Sequence, residues 1–111
     1  MAYDEELAHR VREQLAEEAA VTEKSMFGGL AFLVGGNMSV AVSGRGGLIV
    51  RVGPDGEDEA LGLPHARPMD MTGRPMSGWV VVDPAGVRSD GDLRRWVERG
   101  VGFARSLPAK G

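Results

Sequence analysis

Cysteine is absent from the 111 residues, which excludes disulfides, thiolate zinc sites and cysteine nucleophiles together. Aromatic residues make up only 5% and there are 2 histidines, so stacking platforms and imidazole ligands are scarce. Apolar runs such as Leu30-Ala31-Phe32-Leu33-Val34 are far too short to span a bilayer. The amino terminus, Met1-Ala2-Tyr3-Asp4-Glu5-Glu6, is acidic where a signal peptide would be basic, so the expected place is the cytoplasm, away from membranes. An excess of positive charge is also missing. With a net charge of −3 and a pI near 5.3 the chain lacks the field that drives tight phosphate-backbone binding, and avid nucleic-acid binding is not expected. What is present suffices for one small domain over 1–111, since 42% hydrophobic and 26% charged residues are close to the globular average.

Charge is unevenly spread. The first segment is acidic through Glu5, Glu6, Glu13, Glu17, Glu18 and Glu23, and the last is basic through Arg88, Arg94, Arg95, Arg99, Arg105 and Lys110. Leu7, Val11 and Leu15 recur at four-residue spacing, predicting an amphipathic helix over about 4–19 with Asp4 as N-cap. From Ser25 the period changes to two. Ser25 to Val34 reads as one strand bent at Gly28-Gly29, followed by strands over 38–42 and 48–52, with turns at Gly35-Gly36-Asn37 and Ser43 to Gly47. Alternation puts Met38, Val40, Val42, Val50 and Val52 on the face that meets the helices. Ser39, Ala41, Ser43, Ile49 and Arg51 fall on the other, which is expected to be an open or closely packed surface of small residues. A short acidic helix after Gly53-Pro54, strands over 67–71 and 78–83, and a last helix capped by Ser89 and lined by Leu93, Trp96, Val97, Val101, Ala104 and Leu107 complete the chain. The order is α-β(3)-α-β(2)-α: an α+β, two-layer sandwich with helices on an antiparallel sheet of about five strands.

Three stretches stand out together: Val21-Thr-Glu-Lys-Ser-Met-Phe-Gly-Gly-Leu-Ala-Phe32, Leu48-Ile-Val-Arg-Val-Gly-Pro54, and the segment from His65-Ala-Arg-Pro-Met-Asp to Ser77-Gly-Trp-Val80. In that order they resemble the amino-terminal domain of the TfoX/Sxy family, over roughly residues 3–108. The resemblance implies a bacterial, cytoplasmic protein with a secretion-chaperone-like two-layer fold, no known catalytic residues and no cofactor. It also implies a link to the regulation of natural competence. Full-length members carry a further helical domain that this chain does not show, so a DNA-directed role resting on that domain is not carried over.

The candidate interaction or anion-site residues are Lys24, Gly28, Gly29, Arg51, His65, Arg67 and Arg74. Lys24 and the two glycines have two readings: backbone N–H groups gathered around an anion, or a bent strand with Met26 and Phe27 in the core. Without a GxxxxGK[ST] pattern the structural reading is preferred. Arg51, His65, Arg67, Asp70 and Arg74 form the densest unexplained polar group; Asp70 is the natural partner for a mid-strand Arg51, and the alternative is a small-anion or partner site. His9 and Glu13, four apart on a helix, make too small a set to hold a metal, and His65, Asp70 and Ser77 lack a nucleophile motif. No catalytic, cofactor or metal residues are therefore assigned. The leading expectation is a non-catalytic module acting on transcription through an unidentified protein partner. The alternatives are a nucleic-acid accessory using the basic last helix, and an anion-binding protein or enzyme centred on Arg51 and Arg67. A homodimer through the open sheet face, broken by a charge at Ala41, is the expected assembly.

Overall fold

The computed structural model describes residues 3–26, 28–71 and 73–109, with the side chains of Met71, Arg74 and Pro75 outside the description. Helix α1 spans Glu5–Gln14 and begins where expected, with the Leu7 N–H donating to Asp4 Oδ1 at 3.1 Å. It ends earlier than the apolar spacing suggests, at the cap residue Leu15, leaving 16–19 outside the helix.

The first strand segment is two strands, not one bent strand. β1 (Val21–Met26) and β2 (Gly29–Val34) pair antiparallel, Val21 opposite Val34 and Met26 opposite Gly29, so the glycines make a hairpin turn instead of a bulge. The stretch Val21-Thr-Glu-Lys, which lacks apolar alternation because β1 is exposed along most of its length, gives no period-two signal. β3 (Asn37–Val42) and β4 (Leu48–Arg51) continue the meander. After α2 (Glu57–Leu61) come β5 (Ala66–Met71) and β6 (Arg74–Val82), with β6 pairing β4 in the order β1-β2-β3-β4-β6-β5. Among the described residues the sheet thus has six strands, in the order α-β(4)-α-β(2)-α. α3 (Asp90–Ser106) opens as predicted, with the Asp92 N–H donating to Ser89 Oγ at 3.1 Å.

All three helices lie on one face. Leu7 and Val11 of α1, Ala60 of α2, and Leu93, Trp96 and Val97 of α3 close over Phe32, Val40, Val42, Val50, Val80 and Val82. The face assignment drawn from alternation fails at one residue. Phe32 pairs with Val40 but Leu33 pairs with Met38, so Ser39 is an extra residue and Met38 turns to the opposite side from Val40. The Ser39 hydroxyl donates to the Phe32 carbonyl at 2.8 Å and satisfies the buried polar groups at this bulge.

The other face is not an open surface of small residues. Ala31, Ala41, Ile49, Met69 and Val81 form a second buried cluster, with Met26, Leu33, Met76 and Trp79 packed around it, and no helix contributes to it. β3 is consequently buried on both faces, which is why its six residues are all inaccessible. Long unbranched methionines fill the irregular space over the small side chains. Ala41 is fully buried, so it is not available as a contact for a second copy.

Two substitutions test these statements by thermal or chemical denaturation. Helix propensity alone makes Gly100→Ala stabilising by about 1 kcal/mol. A Cβ there would sit 2.5 Å from the Ser39 carbonyl oxygen and 2.7 Å from Val40 Cγ1, so a loss of about 1–3 kcal/mol is expected instead; for scale, truncation of fully buried Phe32 to Ala should cost about 3–5 kcal/mol. Ala41→Glu should unfold the monomer, through a loss of at least about 3 kcal/mol for an unpaired buried charge. A well-folded Ala41→Glu protein would show that the second face is open.

Candidate functional site

The residues singled out in the sequence are spread over the molecule. Lys24 stands exposed on β1, the edge strand. Gly28 has φ +70° with open space where a Cβ would be, whereas a Cβ on Gly29 would overlap the Val42 carbonyl, so the pair serves chain reversal and close approach to β3. Phe27, expected in the core, lies outside the described residues, and of Arg74 only the backbone, opposite Met71 on the β5–β6 hairpin, is described.

Arg51 is not paired with Asp70. It sits opposite Trp79 on β6, with its guanidinium 5.3 Å from the Trp79 ring centroid and 5.2 Å from that of Phe103 on α3. The half-buried charge is thus held between two aromatic faces, an arrangement that sequence spacing could not reveal because Phe103 comes from another layer. The Val52 and Gly53 N–H groups both donate to the Gly78 carbonyl, at 2.9 and 3.0 Å, and the Gly78 N–H donates to Glu57 Oε1 at 2.6 Å. Arg51 therefore belongs to a junction that fastens α2 and α3 to the sheet. Arg67 donates through Nε to Asp83 Oδ1 at 3.0 Å in a solvent-exposed pair worth little to stability. Neither Arg51 nor Arg67 lines the cleft described next.

His65 lines a concavity. A cleft of about 150 Å³ lies between the α2–β5 connection and α3, with Leu63, Pro64, His65 and Gly86 on one wall and Asp92, Arg95, Trp96 and Arg99 on the other. Arg95 and Arg99, one helical turn apart, belong to the basic last helix; only the fold brings His65 across from them. No hydrogen bond joins His65, Asp70 and Ser77, and among the described residues no group of three His, Asp or Glu side chains converges as metal ligands would. His9 Nε2 and Glu13 Oε1 are 3.7 Å apart and exposed. No helix among the described residues is long and apolar enough to cross a membrane.

Electrostatic ties between elements are numerous. Arg12 on α1 forks onto Glu23 of β1 at 2.7 and 2.9 Å, and Arg10 reaches Asp90 at 3.1 Å at the start of α3. The hydrogen bonds from Arg12 hold the Glu23 carboxyl below its ordinary value and raise the Arg12 guanidinium above its own.

Fold and site together define a small α+β domain: one open antiparallel sheet, helices on one face, and a cleft of mixed apolar and charged lining between the α2–β5 connection and α3. The TfoX N-terminal domain model matches residues 13–104, most of the chain, and the protein belongs to that family, which is in general non-catalytic. A search among curated proteins and another among solved structures each found no match.

Because the folded pKa of Glu23 is depressed, the contribution of its pair is complete above the unfolded carboxyl pKa of about 4.3 and is lost as pH falls through the lower folded value. The melting temperature of wild type should therefore exceed that of Glu23→Gln at neutral pH, and the gap should close on acidification through that window. A gap that is constant with pH would remove the ion pair as its source.

Proposed function

We propose that this domain is a non-catalytic regulatory module that acts on transcription, in the manner of competence regulation, through contact with a protein partner. The observation that carries the reading is the family match over residues 13–104. Charge supports a protein partner over nucleic acid. The arginines of α3 face carboxylates: Arg94 lies 3.8 Å from Glu98, Arg95 2.9 Å from Asp92, Arg99 2.9 Å from Glu59 and Arg105 2.5 Å from Glu18. A helix whose guanidiniums are matched in this way offers no uncompensated stripe for a phosphate backbone.

The surface best suited to a protein strand is the free edge of β1. Thr22, Glu23, Lys24 and Ser25 are exposed there, and β1 has a sheet neighbour on one side only. The opposite edge, β5, carries Pro68, which has no N–H to offer. Pairing of β1 with its own copy is opposed by geometry. Two-fold antiparallel pairing sets residues of one face opposite each other, so either register that keeps the middle of the strand paired places Glu23 against Glu23 or Lys24 against Lys24 of the copy. The edge is guarded against itself and open to a different strand, so a homodimer, if the chain forms one, is proposed to use another surface.

Two measurements test the reading. Deleting the gene should change a defined set of transcripts, with recovery on re-expression of wild type. The purified protein should show no submicromolar binding to arbitrary duplex DNA by fluorescence anisotropy at physiological salt. An unchanged transcript profile would overturn the regulatory role, and tight binding with a steep salt dependence would replace the protein partner with nucleic acid.

A further inference from the structure

We infer that the cleft between the α2–β5 connection and α3 binds a small monocarboxylate with an apolar body. The inference stands independently of the regulatory reading. Its first support is backbone strain. His65 holds φ +68°, a left-handed conformation that costs a non-glycine residue of order 1 kcal/mol or more, and the surroundings enforce it. Its carbonyl accepts from the Asp83 N–H at 2.9 Å, and its Cβ lies where a side chain on Gly86 would come within 2.8 Å, so His65 seats there only because residue 86 is glycine. The backbone and Cβ of His65 are thereby fixed at the wall of the cleft.

The second support is the state of the two guanidiniums opposite. Arg95 donates through one terminal nitrogen to Asp92 Oδ1, and Arg99 through one terminal nitrogen to Glu59 Oε1, each at 2.9 Å. Arg99 also lies 5.7 Å from the Trp96 ring centroid and keeps only 31% of its side-chain exposure. Each guanidinium is oriented by these contacts, yet Nε and the remaining terminal nitrogen of each have no acceptor among the described residues. On Arg99 the free pair, Nε and Nη2, is the side-on fork that gives a planar carboxylate two parallel N–H bonds, while on Arg95 Nε and Nη1 diverge and each offers a single bond.

Charge and volume narrow the class. Asp92 and Glu59 balance the two arginines, so the cleft is rich in donors but not in net positive charge, and a singly charged acid fits it better than a phosphate dianion. Leu63, Pro64 and the edge of Trp96 offer apolar surface for the rest of the molecule. The cleft volume of about 150 Å³ matches that of an apolar cavity that takes up benzene, about 150 Å³, enough for a ring or short branched chain bearing one carboxyl group.

The test is an NMR titration of the full chain with benzoate, with benzamide as the neutral isostere and inorganic phosphate as the competing anion. Benzoate should give saturable shifts at the His65 and Trp96 ring resonances, and benzamide should bind at least about tenfold more weakly. Arg95→Gln, at a side chain that is 69% exposed and so should leave the fold intact, should weaken benzoate about tenfold or more with an unchanged melting temperature. Shifts that stay linear to about 10 mM benzoate, phosphate binding tighter than benzoate, or an Arg95→Gln protein with wild-type affinity would each overturn the assignment.

Discussion

Helix α3 can lie on β3 only because its Gly100 has no side chain. At that point the helix backbone approaches the Ser39 carbonyl so closely that a single methyl group would overlap it. The rest of the layer follows from this contact. Leu93, Trp96, Val97, Val101 and Ala104 reach the sheet from a helix held at that short distance, and Phe103 is carried far enough down to meet Gly53 and Arg51. The bulge beneath it is the complementary device. Ser39 adds a residue to β3, satisfies its own hydroxyl on the Phe32 carbonyl, and switches Met38 to the far side of the sheet.

That switch helps to build the second core. A sheet with helices on one face alone ordinarily leaves its other face to solvent. Here alanines at 31 and 41 bring the floor of that face down, and Met26, Met38, Met69, Met76 and Trp79 fold over it. Small residues read in isolation suggest a surface that a second layer might approach. In the folded chain they are the base on which longer side chains of the same chain lie.

Charge follows a related pattern. The charged segments of the sequence are tied together across the fold: Arg105 of the basic end with Glu18 of the acidic start, Arg10 with Asp90, and Arg99 with Glu59 of α2. Individually such exposed pairs contribute little to stability. Collectively they set each guanidinium of α3 beside a carboxylate, and they leave oriented N–H donors at the cleft where α3 meets His65.

Local signals in the chain were enough for both long helices, their Asp4 and Ser89 caps, the hairpins at 35–36 and 43–47, and the α+β class with its family, since capping, turn chemistry and amphipathic period depend on residues a few positions apart. The separate β1 strand was not legible, because an exposed edge strand carries no apolar alternation to mark it. Nor was the side taken by Met38: an inserted residue reverses alternation, and only pairing with β2 reveals the insertion. The candidate site divides the same way. His65 stood out within a polar group with Arg51, Arg67, Asp70 and Arg74, but Arg95 and Arg99 carried no signal beyond the basic charge of the last helix, and Arg51 read as a charge needing a carboxylate when its partners are rings from β6 and α3. Those outcomes depend on which distant segments meet, a matter that burial of the whole chain decides and short-range pattern does not.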